Sequence, residues 1–118
     1  MRHAKHKYKL GVEPSHRKAM IRNLAVEVID HGKIKTTQTR AKAVRGVVEK
    51  LVTLAKNDTV HNRRLALQKL NNKGAVNKLF TEIGPKFKER NGGYTRIVKL
   101  ADKRLGDSSS MGYISFVE

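Results

Sequence analysis

Ala41, Val44, Val48, Leu51 and Ala55 recur at spacings of 3, 4, 3 and 4. That spacing puts all five on one side of an α-helix and commits the middle of the chain to a long helix with one buried face. The same rhythm could describe a coiled coil, but it lasts only about two heptads, and a coiled coil needs more. The stripe must therefore be buried inside a domain. Thr37 is placed to cap this helix. Upstream, Met20, Ile21, Leu24, Ala25, Val28 and Ile29 form a second helical stripe, with Ser15 as expected N-cap, His31 in the last turn and Gly32 as a left-handed stop.

A third helix is expected from about Thr59 to Leu70, with Leu67 and Leu70 inward and Asn57-Asp58 capping it. Asn71-Asn72-Lys73-Gly74 breaks it. A short fourth helix carries Val76, Leu79, Phe80 and Ile83 and is expected to stop before Gly84-Pro85. Three stretches read as strands: Lys33 to Thr37, Tyr94 to Leu100 and Met111 to Val117. With 118 residues there is room for one domain. The expected architecture is α+β, with about four helices and a small three-stranded mixed sheet over residues 15–118.

Residues 1–14 do not read as a packed element. Arg2, His3, Lys5, His6, Lys7 and Lys9 crowd together, Tyr8, Leu10 and Val12 are too few to anchor a strand, and Gly11 and Pro14 interrupt any helix. This is expected to be an extended, flexible basic arm with a reach of roughly 45 Å. Ordering its backbone costs about 1–2 kcal/mol per residue. Apolar burial cannot offset that here. Phosphate contacts can, through counterion release.

Charge sets the partner class. The chain has 26 Lys+Arg against 10 Asp+Glu, a net +16. Thirty Leu, Ile, Val and Phe residues, a quarter of the chain, exceed the ~20% below which charged chains stay disordered, so the chain folds and its surplus charge faces outward toward a polyanion. The excess is spread over most of the length. Residues 1–22 are net +6 and 33–50 net +5, with no acid from Lys33 to Val48. Three groups stand out as RNA contacts. The arm offers Arg2, His3, Lys5, Lys7 and Lys9. The first two helices and the strand between them offer His16, Arg17, Arg22, Lys35, Thr36, Thr37, Arg40, Lys42 and Arg45, with Thr39 adding a hydroxyl beside a helix N-terminus. The segment after Lys86, Lys88 and Arg90 offers Asn91-Gly92-Gly93-Tyr94-Thr95-Arg96, where Tyr94 and Arg96 are the contact candidates. The plainer alternatives are a charged solvent face for the helices, a cap for Thr37, and a turn with Tyr94 packed in the core.

Catalytic and metal chemistry finds little support. There are no cysteines, which excludes disulfides, thiolate catalysis and Cys-ligated zinc. His3-x-x-His6 has no carboxylate nearby. There is no Walker A loop and no nucleophile elbow. Glu27 and Asp30 stand one helical turn apart, a spacing that suits salt bridges. The reading is a non-enzyme with no cofactor, no metal and no small-molecule substrate. No apolar run reaches the ~18 residues of a membrane span, and the basic stretch after Met1 lacks the apolar core of a signal peptide, so the expected location is cytoplasmic.

At this level the residues resemble a known family. Met1-Arg2-His3, Lys9-Leu10, Ser15-His16-Arg17, Arg22-Asn23-Leu24-Ala25, Ile34-Lys35-Thr36-Thr37 with Arg40-Ala41-Lys42 and Arg45, and Leu54-Ala55-Lys56 occur in order. Asn62-Arg63-Arg64-Leu65, Lys78-Leu79-Phe80, Gly92-Gly93-Tyr94-Thr95-Arg96 and Gly106-Asp107 follow. Together they resemble ribosomal protein seventeen of the bacterial large subunit over essentially the whole chain. Two places depart from its usual pattern: Ala43, often Glu there, and Gly11-Val12-Glu13-Pro14, usually basic and polar. The resemblance implies an α+β domain with an N-terminal arm, bound to large-subunit ribosomal RNA near the exit of the peptide tunnel, among neighbouring large-subunit proteins. Two rivals remain open at this stage. A DNA-architectural protein shares the charge but should be a symmetric dimer on duplex DNA. A small nuclease needs a positioned acid and base, or a metal.

Overall fold

The computed structural model describes residues 14–117 except 105 and 107; the expected arm lies outside them apart from Pro14. The chain runs α1 (Pro14–His31), β1 (Lys33–Thr37), α2 (Gln38–Ala55) and α3 (Val60–Leu70). A further helical run follows, made of α4 (Lys73–Lys78), a π segment (Leu79–Ile83) and a last turn, α5 (Gly84–Lys86), and the strands β2 (Thr95–Lys103) and β3 (Ser110–Phe116) complete it. The α+β expectation holds.

Local chemistry explains most boundaries. Gly32, at φ +76°, donates its N–H to the Val28 carbonyl at 2.7 Å and ends α1 as a left-handed stop. Thr37, Thr59 and Asn72 cap the next three helices by accepting the backbone N–H of Arg40 (3.3 Å), Asn62 (3.1 Å) and Ala75 (2.9 Å). Two caps differ from expectation. Ser15 lies inside α1, because Pro14 already takes a first-turn position where its missing N–H costs nothing. Asp58 leaves capping to Thr59 and instead accepts two hydrogen bonds from Arg63, at 2.6 and 2.9 Å.

The fourth helix also continues past its expected stop. A proline inside a helix lacks an N–H and crowds the carbonyl four residues back. Here the turn before Pro85 widens to π geometry, with the Gly84 N–H bonded to the Leu79 carbonyl, and the chain stays helical to Lys86. Gly84 itself is buried against the end of α2, where a Cβ would sit 2.4 Å from the Ala55 carbonyl oxygen.

The sheet has the order β1-β3-β2 and is antiparallel throughout, not mixed as expected. The short connection between β2 and β3 makes them a hairpin, and β1 pairs antiparallel on the other side of β3, with Ile34 opposite Ile114. β2 extends past Leu100 to Lys103, with an irregularity after Lys99. α2 packs across one face of this sheet, and α1, α3, α5 and the π segment pack around α2. Its expected stripe is buried in full, with Val52 added. The core beside it contains Val28, Ile29, Leu70, Leu79, Phe80, Phe87 and Ile114, while Leu67 is only half-buried against it.

Candidate nucleic-acid interface

The cationic side chains are presented by rigid elements and mostly left without acidic partners. Among the described residues the ion pair is Arg63–Asp58, and it holds the Asp58 carboxyl below the usual carboxylate range through the Arg63 hydrogen bonds. Other cations bind backbone oxygens: Lys56 the Arg90 carbonyl, Lys78 the Asp30 carbonyl at 2.7 Å, and Arg90 the Gly93 carbonyl at 3.1 Å.

The first group surrounds the start of α2. Thr37, Gln38, Thr39, Arg40 and Lys42 line an open depression together with Ser109 and Ser110. Lys42 and Arg45 are exposed and Arg40 is half-buried. No acid lies in the first turn of α2, so its free N–H groups add to the positive potential. Thr37 is both cap and lining residue. Thr36, one residue earlier, is buried and points away from any external ligand. The single acid of the 33–50 stretch is withdrawn from this surface: Glu49 accepts the Thr95 N–H at 2.9 Å and its hydroxyl at 2.7 Å through Oε2. Glu49 thus ties α2 to β2.

The second group lies on α1. His16 is exposed, and Arg17 and Arg22 are half-buried. The Arg22 Nε–H is buried and meets no acceptor among the described residues. The third group is on the sheet face away from α2, where Lys35 and Arg96 are exposed. Arg2, His3, Lys5, Lys7 and Lys9 lie outside the described residues.

Tyr94 is decided in favour of the core. It is 2% exposed, its ring lies 5.4 Å from that of Phe87, and its hydroxyl accepts hydrogen bonds from Thr53 Oγ1 (3.2 Å) and Lys56 Nζ (3.1 Å). The Thr53 hydrogen bond, with the Lys56 ammonium behind it, lowers its pKa below the ordinary tyrosine value. Its ring therefore offers no face to a base. Gly92 and Gly93, at φ +79° and +63°, form the turn that delivers it inward. Among the described residues, the aromatic on the sheet face away from α2 is Tyr113. In the sequence it reads only as a strand residue, and its alternation with Ile114 is the signal that marks the opposite face.

Among the described residues no group of three His, Asp or Glu could hold a metal ion, and no helix is long and apolar enough to cross a membrane. Residues 20–117 match the family model described as Ribosomal protein L17. The chain belongs to the ribosomal protein L17 family. Two relatives, each named large ribosomal subunit protein bL17, are similar over most of their length. That of Carboxydothermus hydrogenoformans is 56% identical over 104 residues, covering 88% of this chain and 92% of its own. That of a Sulfurihydrogenibium species is 55% identical over 102 residues, covering 86% and 84%. As a member of the L17 family the chain is a structural constituent of the large ribosomal subunit and not an enzyme.

Proposed function

We propose that this chain works in the large subunit by binding ribosomal RNA, near the exit of the peptide tunnel and among neighbouring large-subunit proteins, and that it neutralises phosphates of adjoining RNA segments so that they pack together. The observation that carries the reading is the basic run from Lys33 to Val48, on β1 and the first part of α2, which contains no acid. Lys35, Lys42 and Arg45 are exposed there, while Glu49, the next acid along the chain, is turned inward onto Thr95. A solvated helix face mixes both signs, whereas a surface for a polyanion separates them. Contact roles are proposed for His16, Arg17, Arg22, Lys35, Thr37, Arg40, Lys42, Arg45 and Arg96. Residues 1–13, with Arg2, His3, Lys5, Lys7 and Lys9, act as the threading arm.

The test is a salt titration of binding to large-subunit ribosomal RNA. Six to ten phosphate contacts predict a loss of about 10³- to 10⁵-fold in affinity between 50 and 200 mM salt. A flat titration, or a preference for duplex DNA in competition, would overturn the reading. Deleting residues 1–13 should leave the melting temperature of the domain in place and impair its incorporation into subunits.

A further inference from the structure

The sheet face turned away from α2 carries an aromatic ring that the basic helix ends do not explain. Side chains alternate across strands. The register therefore places Lys33, Ser115 and Arg96 in one outward row and Lys35, Tyr113 and Val98 in the next, while Ile34, Ile114 and Ile97 form the inward row between them. Ile114 is fully buried, whereas Tyr113 is half-buried and Val98 is 47% exposed. Lys33, Lys35 and Arg96 are exposed, and neither outward row contains an acid. The Lys33 ammonium lies over the Tyr113 ring, 4.5 Å from its centroid, so one ring face is covered by an exposed, long side chain that an arriving base would displace.

We propose that Tyr113 is a stacking platform for an unpaired RNA base, with Lys35 and Arg96 taking the phosphates on either side. The inference rests on the RNA-binding reading above and adds the class of RNA segment: single-stranded, not helical. In a duplex both faces of a base are covered by its neighbours, so a ring on a sheet can engage only a base splayed out of the stack. Tyr113 stands on β3, the central strand, held by ladders on both sides, so its backbone is ordered before binding and little entropy is lost on docking. Cations stand on both flanking strands, Lys35 directly opposite and Arg96 on the diagonal. Lys33 can swing from the ring to a phosphate as the base arrives. Val98 extends the apolar floor beside the ring. An acidic peptide would satisfy the cations and leave the ring without a partner of matching area; a nucleotide satisfies both.

The experiment uses the full chain with two probes, a single-stranded adenylate decamer and a fully paired, blunt-ended RNA duplex. Tyr113→Leu keeps apolar cover and removes the aromatic face. It should weaken decamer binding about 5- to 140-fold, leave duplex binding within about twofold and leave the salt slope unchanged. Tyr113→Phe should bind both as the parent does. Lys35→Gln should make the decamer slope shallower by about 0.7. In the parent chain, Tyr113 ring resonances, assigned by Tyr113→Phe, should move upfield on decamer addition, a readout that survives even if Tyr113→Leu fails to fold. Unchanged decamer affinity in Tyr113→Leu, or unmoved ring resonances at saturation, overturns the platform. If the parent still binds both RNAs with steep salt dependence, the RNA-binding reading stands without it. If the parent binds neither RNA at any salt concentration, both readings fall together.

Discussion

Two glycines in helical conformation should respond with opposite sign to the same substitution. Gly46 in α2 is exposed and has open space around an added Cβ. Gly46→Ala therefore gains only the backbone preference of alanine over glycine in a helix, about 0.5–1 kcal/mol. Gly84 is also helical, and helix propensity alone predicts the same gain. Its surroundings reverse the sign. A Cβ there would lie 2.4 Å from the Ala55 carbonyl oxygen, 2.9 Å from the Ala55 carbonyl carbon and 3.1 Å from the Ala55 Cβ. The two closest obstacles are backbone atoms, which cannot rotate aside, so α5 must move away from the C-terminal end of α2. Overpacking of this kind costs about 1–3 kcal/mol, occasionally more, and it outweighs the propensity gain. Net of that gain the loss is about 0.5–2.5 kcal/mol, so at roughly 4 °C per kcal/mol for a domain near this size Gly84→Ala should melt about 2–10 °C below the parent and Gly46→Ala a few degrees above it. Thermal and urea unfolding followed by circular dichroism measure both. A Gly84→Ala chain as stable as Gly46→Ala, with an unchanged urea slope, would refute the close packing of α5 on α2.

Other outcomes follow from named contacts. Glu49→Ala removes the acceptor of both Thr95 bonds and should destabilise the fold by about 1.5–3 kcal/mol in urea unfolding, despite raising the surface charge contrast. Asn72→Ala removes the side chain that accepts the Ala75 N–H and should cost about 1 kcal/mol. Tyr94 should titrate below the usual tyrosine value of about 10 in an ultraviolet titration, and Tyr94→Phe should remove that early component. The sign is that of a depressed acid: its contribution to stability is present above the unfolded pKa and lost as pH falls through the folded one. The destabilisation by Tyr94→Phe should therefore grow as pH rises toward 10 and not as it falls.

Much of the proposed interface was legible because its signals are one-dimensional. The acid-free run from Lys33 to Val48 needs only a count of charges, and it survives folding because lysine and arginine stay outside unless paired. Lys35, Lys42, Arg45 and Arg96 are exposed as expected. Thr36 and Tyr94 were not legible in this way. Threonine and tyrosine are stable inside or outside; the packing of α2 on one sheet face puts Thr36 inside, and the Gly92-Gly93 turn delivers Tyr94 inward. The strand register turned Tyr113 to the other face.

The sequence by itself determined the helices, several of their ends, the cationic surplus and the family. Each of these rests on interactions within a few residues, such as the 3.6-residue period, the cap at Thr37 and the glycine stop at Gly32, or on composition, which folding does not change. Tertiary structure alone decided the direction of strand pairing, the passage of the last helix through Gly84-Pro85 and which tyrosine is inside. Those depend on elements distant in sequence: β1 meets β3 across more than seventy residues, and Gly84 meets Ala55 across nearly thirty. Alternation along a strand says which side chains share a face. Only the helix that packs against that face says whether it is core or surface.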